Sequence, residues 1–549
     1  MILVYEFEYI SKNSVLENFL QVLAVKEGIE HYITKDKDKV LLYARGDEER
    51  LVAFSDKLSN SLPFSVFLKS TSVSVTDKWN SNEAVRVQEC EVYIPFTKQA
   101  LETAKNEFNP FVKNEIGQNF DINPPLVFIN DGKTVLYDDN FKEAFHKAAD
   151  IIAGGGKINF KTLKGAFCIS EAKDKNYQND ILIIPCDLSL VGKIAVMEDG
   201  EAAVLASLEK PIVKAHTNMV FSSQYPNFPK FVRLKLADDL FLYFLSLALF
   251  EKGVKFTVLE AEDSTLAASL YFKNDVKKDV QFEICHLKNA HNIILKGTSF
   301  TSPELLKSIK QVKNPHHMQF AAGIQELDLF EEANCGIYLS LKNDDMMMFY
   351  NAQTGVLDMV NITYENSLAQ MLENIAKEDE TSAKLIKNYT EKFPLVIAKA
   401  KEILLKTKNI ANLWSAAAFL MGLGENLDEA QERLFENIAT FGGQKGPRVD
   451  YKLLDEKSVK TTIDAHKFIK SVMSFRLAGV DDGLLSYGIS ESLVYFLSDF
   501  TDKMKDEFEA KNILLMGSMF GIKTISNLCV KHLSVSHKVY FNKELPIEL

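Results

Sequence analysis

The chain has 549 residues, enough for three or four domains with their own cores, and its 46% hydrophobic and 25% charged residues are an ordinary globular balance. Its 63 Lys and Arg against 75 Asp and Glu leave a formal charge of −12, which argues against a nucleic-acid partner, because affinity for phosphate backbones needs clustered cations. The longest nearly apolar run, residues 240–250, is about half of the ~20 residues a bilayer span requires, so no membrane span is predicted. Residues 1–10 alternate into acidic positions and lack the basic start of a signal peptide, which predicts a strand and a cytoplasmic protein. Cys90, Cys168, Cys186, Cys285, Cys335 and Cys529 stand alone, without zinc-knuckle or disulfide spacing, so reduced, buried thiols are expected.

In chain order, residues 1–80 predict strand, helix, strand, helix, strand. The extended stretches are 1–10, 39–45 and 64–73, with a further strand near His31, and the helices cover 15–27 and 47–58. Residues 85–135 are the least regular, with turn signals at Asn109-Pro110 and Asn123-Pro124-Pro125. A helix with apolar residues at 3.6 spacing runs from Phe145 into Gly154-Gly155-Gly156, read as a helix stop rather than a phosphate loop because no strand precedes it and no Gly-Lys-Ser/Thr start follows. A buried strand should cover 158–163. The stripe Leu240-Phe241-Leu242-Tyr243-Phe244-Leu245 suits core packing or a partner-binding groove. Residues 334–341 predict a strand, and 381–423 are helical with a break at Pro394. Met346-Met347-Met348 suits either core filling or a soft contact surface.

The order of three short motifs is the most telling feature. Lys161-Thr162-Leu163-Lys164-Gly165-Ala166-Phe167, then Gly192-Lys193-Ile194-Ala195-Val196-Met197, then Ser207-Leu208-Glu209-Lys210-Pro211-Ile212-Val213 resemble the YrdC-like domain of the HypF family of hydrogenase-maturation carbamoyltransferases. Further on, Leu413-Trp414-Ser415-Ala416-Ala417-Ala418-Phe419 and Leu514-Leu515-Met516-Gly517-Ser518-Met519-Phe520 resemble that family's carboxyl-terminal motifs. The chain also resembles, more loosely, the HydE-type accessory proteins of quinone-reactive hydrogenases. The resemblance implies an α+β and α/β multidomain fold. Its parts would be a ferredoxin-like acylphosphatase-type domain at 1–84, a connector at 85–134, a YrdC-like α/β domain at 135–310 and an actin-like ATPase-type domain at 311–549. The connector stands where the family carries zinc fingers. Those fingers contribute on the order of 10 to 16 kcal/mol through paired thiolates, and only Cys90 is present.

The resemblance also shows what is missing. Glu17 falls at the arginine of the acylphosphatase loop and Lys35 at its asparagine. A carboxylate would repel phosphate by about 4 kcal/mol per charge pair at 4 Å in an effective dielectric near 20. Both side chains are expected to be solvated surface residues. In the YrdC-like part, Lys161, Lys164, Gly165 and Lys193 are the candidate nucleotide contacts, with lysines on an exposed edge as the plainer reading. His316 and His317 replace a metal-holding histidine cluster, but as sequence neighbours they point apart, and Gly442 to Arg448 reads as a turn. Ile522 replaces an expected asparagine, and no Asp-Gly-Gly tail follows Leu549. The implied function is that of a catalytically depleted accessory protein in nickel–iron hydrogenase maturation. It would act without a metal or cofactor by binding a hydrogenase subunit or another maturation protein. The alternative is a divergent ATP-dependent carbamoyltransferase.

Overall fold

The computed structural model describes all residues except 89, 91, 93, 95, 117–121, 172–176, 178–180, 274–280 and 310–313. Part of the expected connector thus lies outside the described residues. The chain forms two compact units, Met1–His286 with Lys296–Pro303, and Leu287–Leu295 with Glu304–Leu549.

The first unit begins with β1 (Ile2–Tyr9), α1 (Val15–Lys26), β2 (Glu30–Asp36), β3 (Lys39–Arg45), α2 (Glu48–Ser61) and β4 (Leu68–Thr76). The last strand lies a few residues later than its expected 64–73. The four strands form an antiparallel sheet in the order β2-β3-β1-β4, the ferredoxin-like arrangement. The alternation along β1 buries Tyr5, Phe7 and Tyr9, which is the period-two signal that marked it in the sequence. Helix α1 buries Leu16, Phe19 and Leu20 at helical spacing, and Asp47 caps α2 by accepting a hydrogen bond from the Arg50 amide at 2.8 Å.

After α3 (Lys98–Glu107) come β5 (Leu126–Asn130), β6 (Lys133–Tyr137), α4 (Phe141–Ala153), β7 (Lys157–Thr162), β8 (Gly165–Ser170) and β9 (Leu182–Pro185). The unit continues with α5 (Val191–Ile194), β10 (Ala195–Val196), α6 (Asp199–Ala206), β11 (Ile212–Thr217), α7 (Met219–Gln224), β12 (Phe231–Leu234), α8 (Leu240–Glu251), β13 (Phe256–Ala261), β14 (Ser269–Phe272) and β15 (Glu283–His286). These strands make one large sheet, ordered β15-β11-β12-β9-β13-β8-β7-β14-β5-β6, with β10 on β11. Helices α4 and α8 cover it. Because α8 is apolar on every side it is buried almost all round, with Phe241 stacked on Phe272 at 4.5 Å between ring centres. Core packing is thus the outcome for the 240–245 stripe. Phe108 and Phe111 follow α3 and reach the same helix, at 4.3 Å from Phe244 and 5.2 Å from Phe241, so this part of the expected connector is packed rather than extended. The glycine run ends α4 as expected, with Gly155 at φ +87°.

Between the units in sequence are β16 (Asn292–Lys296) and α9 (Pro303–Ser308). The second unit holds α10 (Pro315–Leu327), β17 (Asn334–Tyr338), β18 (Met346–Asn351) and β19 (Gly355–Asn361). Then follow α11 (Leu368–Glu378), α12 (Glu380–Lys392), α13 (Pro394–Ala400), α14 (Ile410–Met421), α15 (Leu427–Thr440), β20 (Thr461–Thr462), α16 (Ala465–Leu477), α17 (Asp482–Phe508), β21 (Asn512–Met516), α18 (Lys523–Leu533) and β22 (Lys538–Tyr540). Its sheet runs β20-β19-β18-β17-β21-β22. Strands β17 to β19 form an antiparallel meander, while β21 lies parallel to β17 and β22 parallel to β21. Pro394 starts α13 and divides the helical stretch where expected. Met347 and Met348 are buried, which makes the methionine run core rather than a contact surface. All six cysteines are buried, and no disulfide joins them.

Candidate functional site

Three of the four nucleotide-site candidates fall on one hairpin. Lys161 lies next to the end of β7, Leu163 and Lys164 make the turn, and Gly165 opens β8 at φ +135°, a conformation that favours glycine. The turn is stapled to α8: Asp239 caps that helix by accepting from the Leu242 amide at 2.8 Å and also accepts from the Leu163 amide at 2.5 Å. Lys164 was expected on an exposed edge or facing phosphate, yet it is only 6% exposed, with its ammonium 3.2 Å from Asp238. Lys235 forms a second ion pair with the same carboxylate. Burial opposes ionisation of Asp238, but Lys235 and Lys164 outweigh it and hold this carboxyl below its ordinary range. Its neighbour behaves oppositely, since burial and then the Asp238 charge push Asp239 up to about 7. Lys161 lies over the Phe272 ring at 5.2 Å. Lys193 is exposed on α5, which leads into β10 beside β11, and β11 stands four places from β8 in the sheet. The hairpin and Lys193 therefore belong to different parts of the sheet.

The first domain carries a second reversal. Glu17 is 3% exposed, not solvated, and forms an ion pair with Lys35 across from α1 to β2. The residues at the expected arginine and asparagine positions thus pair with each other. Solvated surface was the wrong expectation because α1 turns the Glu17 side of its face inward, among Val15, Leu16 and Leu20. The third motif, Ser207 to Val213, is tied to the segment between α2 and β4: Glu209 is 1% exposed and accepts from Ser65 Oγ at 2.5 Å and from the Val66 amide at 3.0 Å. In the second unit His316 Nε2 lies 2.8 Å from the Asp344 carbonyl, whereas His317 Nε2 lies 2.7 Å from Asp358 Oδ1. Their rings diverge as the sequence required.

With this geometry in place, comparison with known proteins is informative. No family model matches the chain. It is 24% identical over 517 residues to Protein HydE of Wolinella succinogenes, covering 92% of this chain and 91% of that protein. Among solved structures it matches full-length HypF in its phosphate- and nucleotide-bound form with a TM-score of 0.63 at 13% identity, over 100% of this chain and 96% of HypF. T. kodakarensis HypF matches with a TM-score of 0.64 at 12% identity, over 99% and 96%. The chain is HypF-like in fold from end to end. Its mixed α and β multidomain architecture is therefore that of HypF, and no described helix is long and apolar enough to cross a membrane.

Within the described residues of this HypF-like chain, no group of three His, Cys, Asp or Glu side chains could hold a metal ion. The residues that close the β7–β8 hairpin, Lys235, Asp238 and Asp239, carried no motif that marked them in the sequence. A usable signal was present all the same, because an Asp directly before an all-apolar helix is a cap, and a second Asp beside it needs a cation.

Proposed function

We propose that this is a HypF-like accessory protein of nickel–iron hydrogenase maturation that has lost carbamoyl transfer and acts by binding a hydrogenase subunit or another maturation protein. One observation carries the reading: Lys164, the candidate phosphate contact at the hairpin turn, is already neutralised inside the protein, as is the Glu17–Lys35 pair of the amino-terminal sheet. Lys164 shares Asp238 with Lys235, and Lys35 is held by Glu17. A phosphate ligand would have to displace buried carboxylates whose own charges would then be unpaired, at a cost of about 3–5 kcal/mol for each broken pair. Likeness over nearly the whole length to HydE and HypF supports the hydrogenase context.

The test has two arms. Purified protein is mixed with ATP and carbamoyl phosphate and pyrophosphate is followed, and the tagged protein is isolated from hydrogenase-producing cells. The reading expects no sustained pyrophosphate release and co-purification of a hydrogenase subunit or maturation protein. Turnover, or ATP binding that Lys193→Ala abolishes, would instead establish the divergent carbamoyltransferase.

A further inference from the structure

Strands β17 and β21 lie parallel, with Tyr338 opposite Met516 at their carboxyl ends. In open α/β sheets, ligand sites form in the crevice outside such strand ends. Two loops leave the sheet there and run very close together. The Leu339 amide donates to the Met516 carbonyl at 2.9 Å and the Met519 amide to the Leu339 carbonyl at 3.1 Å. Only glycine fits between them: Gly517 has φ +98°, and a Cβ there would lie 2.1 Å from the Leu339 oxygen.

Into this crevice the chain inserts a carboxylate of its own. Glu548 Oε1 accepts hydrogen bonds from Tyr338 Oη at 2.8 Å, Ser340 Oγ at 2.7 Å and Asn343 Nδ2 at 2.6 Å, while Oε2 accepts from the Ser518 amide at 2.8 Å. Two of the donor residues, Ser340 and Ser518, are also held by other groups of the two loops. The Ser340 amide donates to Asp345 Oδ1 at 2.7 Å, Ser340 Oγ accepts from the amides of Lys342 and Asn343, and Ser518 Oγ accepts from the Leu341 amide at 3.0 Å. Burial pushes the Asp345 carboxyl well above its ordinary range, which mutes the negative charge nearest the crevice. Burial likewise opposes charge on Glu548, yet the donors of Ser518, Ser340 and Tyr338 hold its carboxyl below the ordinary range.

The tail does not need this carboxylate to stay docked. Leu545 and Ile547 are 0% and 1% exposed, the Gly517 amide donates to the Ile547 carbonyl at 2.7 Å, and the Leu545 amide donates to Glu326 Oε1 at 3.0 Å. Four donors converging on one carboxylate, two of them anchored independently of it, make a ligand site rather than a tether. We infer that Tyr338, Ser340, Asn343 and Ser518 form an oxyanion site that the chain itself occupies with Glu548, which excludes phosphate-like ligands from it. This inference is independent of the protein-binding reading, which co-purification tests separately.

A carboxylate held within the same chain competes at an effective concentration in the millimolar range. Calorimetric titration with inorganic phosphate therefore separates the possibilities. Glu548→Ala is expected to bind phosphate at least tenfold more tightly than the parent protein, and adding Ser340→Ala should cancel the gain. If Glu548→Ala does not fold, Glu548→Ser likewise withdraws the carboxylate from the donors, and the same tenfold gain is required of it. Equal phosphate binding by parent and variant would overturn the inference, as would a gain that survives the loss of Ser340.

Discussion

Lys35→Met should be far more damaging than its surface position suggests. Glu17 is 3% exposed, its Oε2 has no hydrogen-bond partner, and Lys35 is the cation paired with it. Removing the lysine leaves a buried, uncompensated carboxylate, for which breaking a buried pair costs about 3–5 kcal/mol. The reverse change, Glu17→Gln, leaves a lysine whose side chain is 22% exposed and can extend its ammonium into water, so about 1 kcal/mol is expected. Hydrogen exchange of peptides from α1 reads the difference locally. Lys35→Met should lower protection on the order of 10²- to 10⁴-fold, Glu17→Gln less than about tenfold, and the double variant should recover most of the loss. Equal, small effects of the two single changes would refute the argument, because they would mean that Glu17 is hydrated and the loop is open to anions.

Two further outcomes follow from buried polar groups. Burial raises Glu326 to about 7, so the folded state binds a proton there that the unfolded chain has lost by about pH 4.5; the stability this group contributes is full below pH 4.5 and disappears as pH rises to 7. Hydrogen exchange of α10 should therefore weaken between pH 5 and 8 in the parent and change less in Glu326→Gln, and an unchanged slope in the variant would exclude Glu326 as the source. Tyr451→Phe orphans the Trp414 indole N–H, which donates to Tyr451 Oη at 2.6 Å, and the Ile489 carbonyl, to which that hydroxyl donates at 3.1 Å. Denaturant unfolding followed by Trp414 emission should show a loss of about 1–3 kcal/mol, whereas no loss would mean that water replaces the hydroxyl.

Much of the architecture was legible because it rests on local repetition. Alternation marked β1, apolar residues on every side marked α8 as buried, the glycine run stopped α4, and Pro394 broke the helical stretch. Of the four candidate contacts, Lys161, Lys164 and Gly165 share the β7–β8 hairpin, as their closeness in sequence implied, while Lys193 stands in another part of the sheet. The electrostatics of the site were not legible. Glu17 and Lys35 read as solvated charges, and Lys164 as an edge residue, because neither periodicity nor composition records which distant group will face a side chain.

The sequence by itself thus determined the elements and their order, since both are written in neighbours a few positions apart. Only the tertiary structure decided where the surviving charges went. It set Lys35 against Glu17, Lys164 and Lys235 against Asp238, and Glu548 among donors from two loops. The physical reason is that a buried charge is tolerated only beside its partner, and that partner is chosen by how helices and strands pack, not by how residues follow one another along the chain.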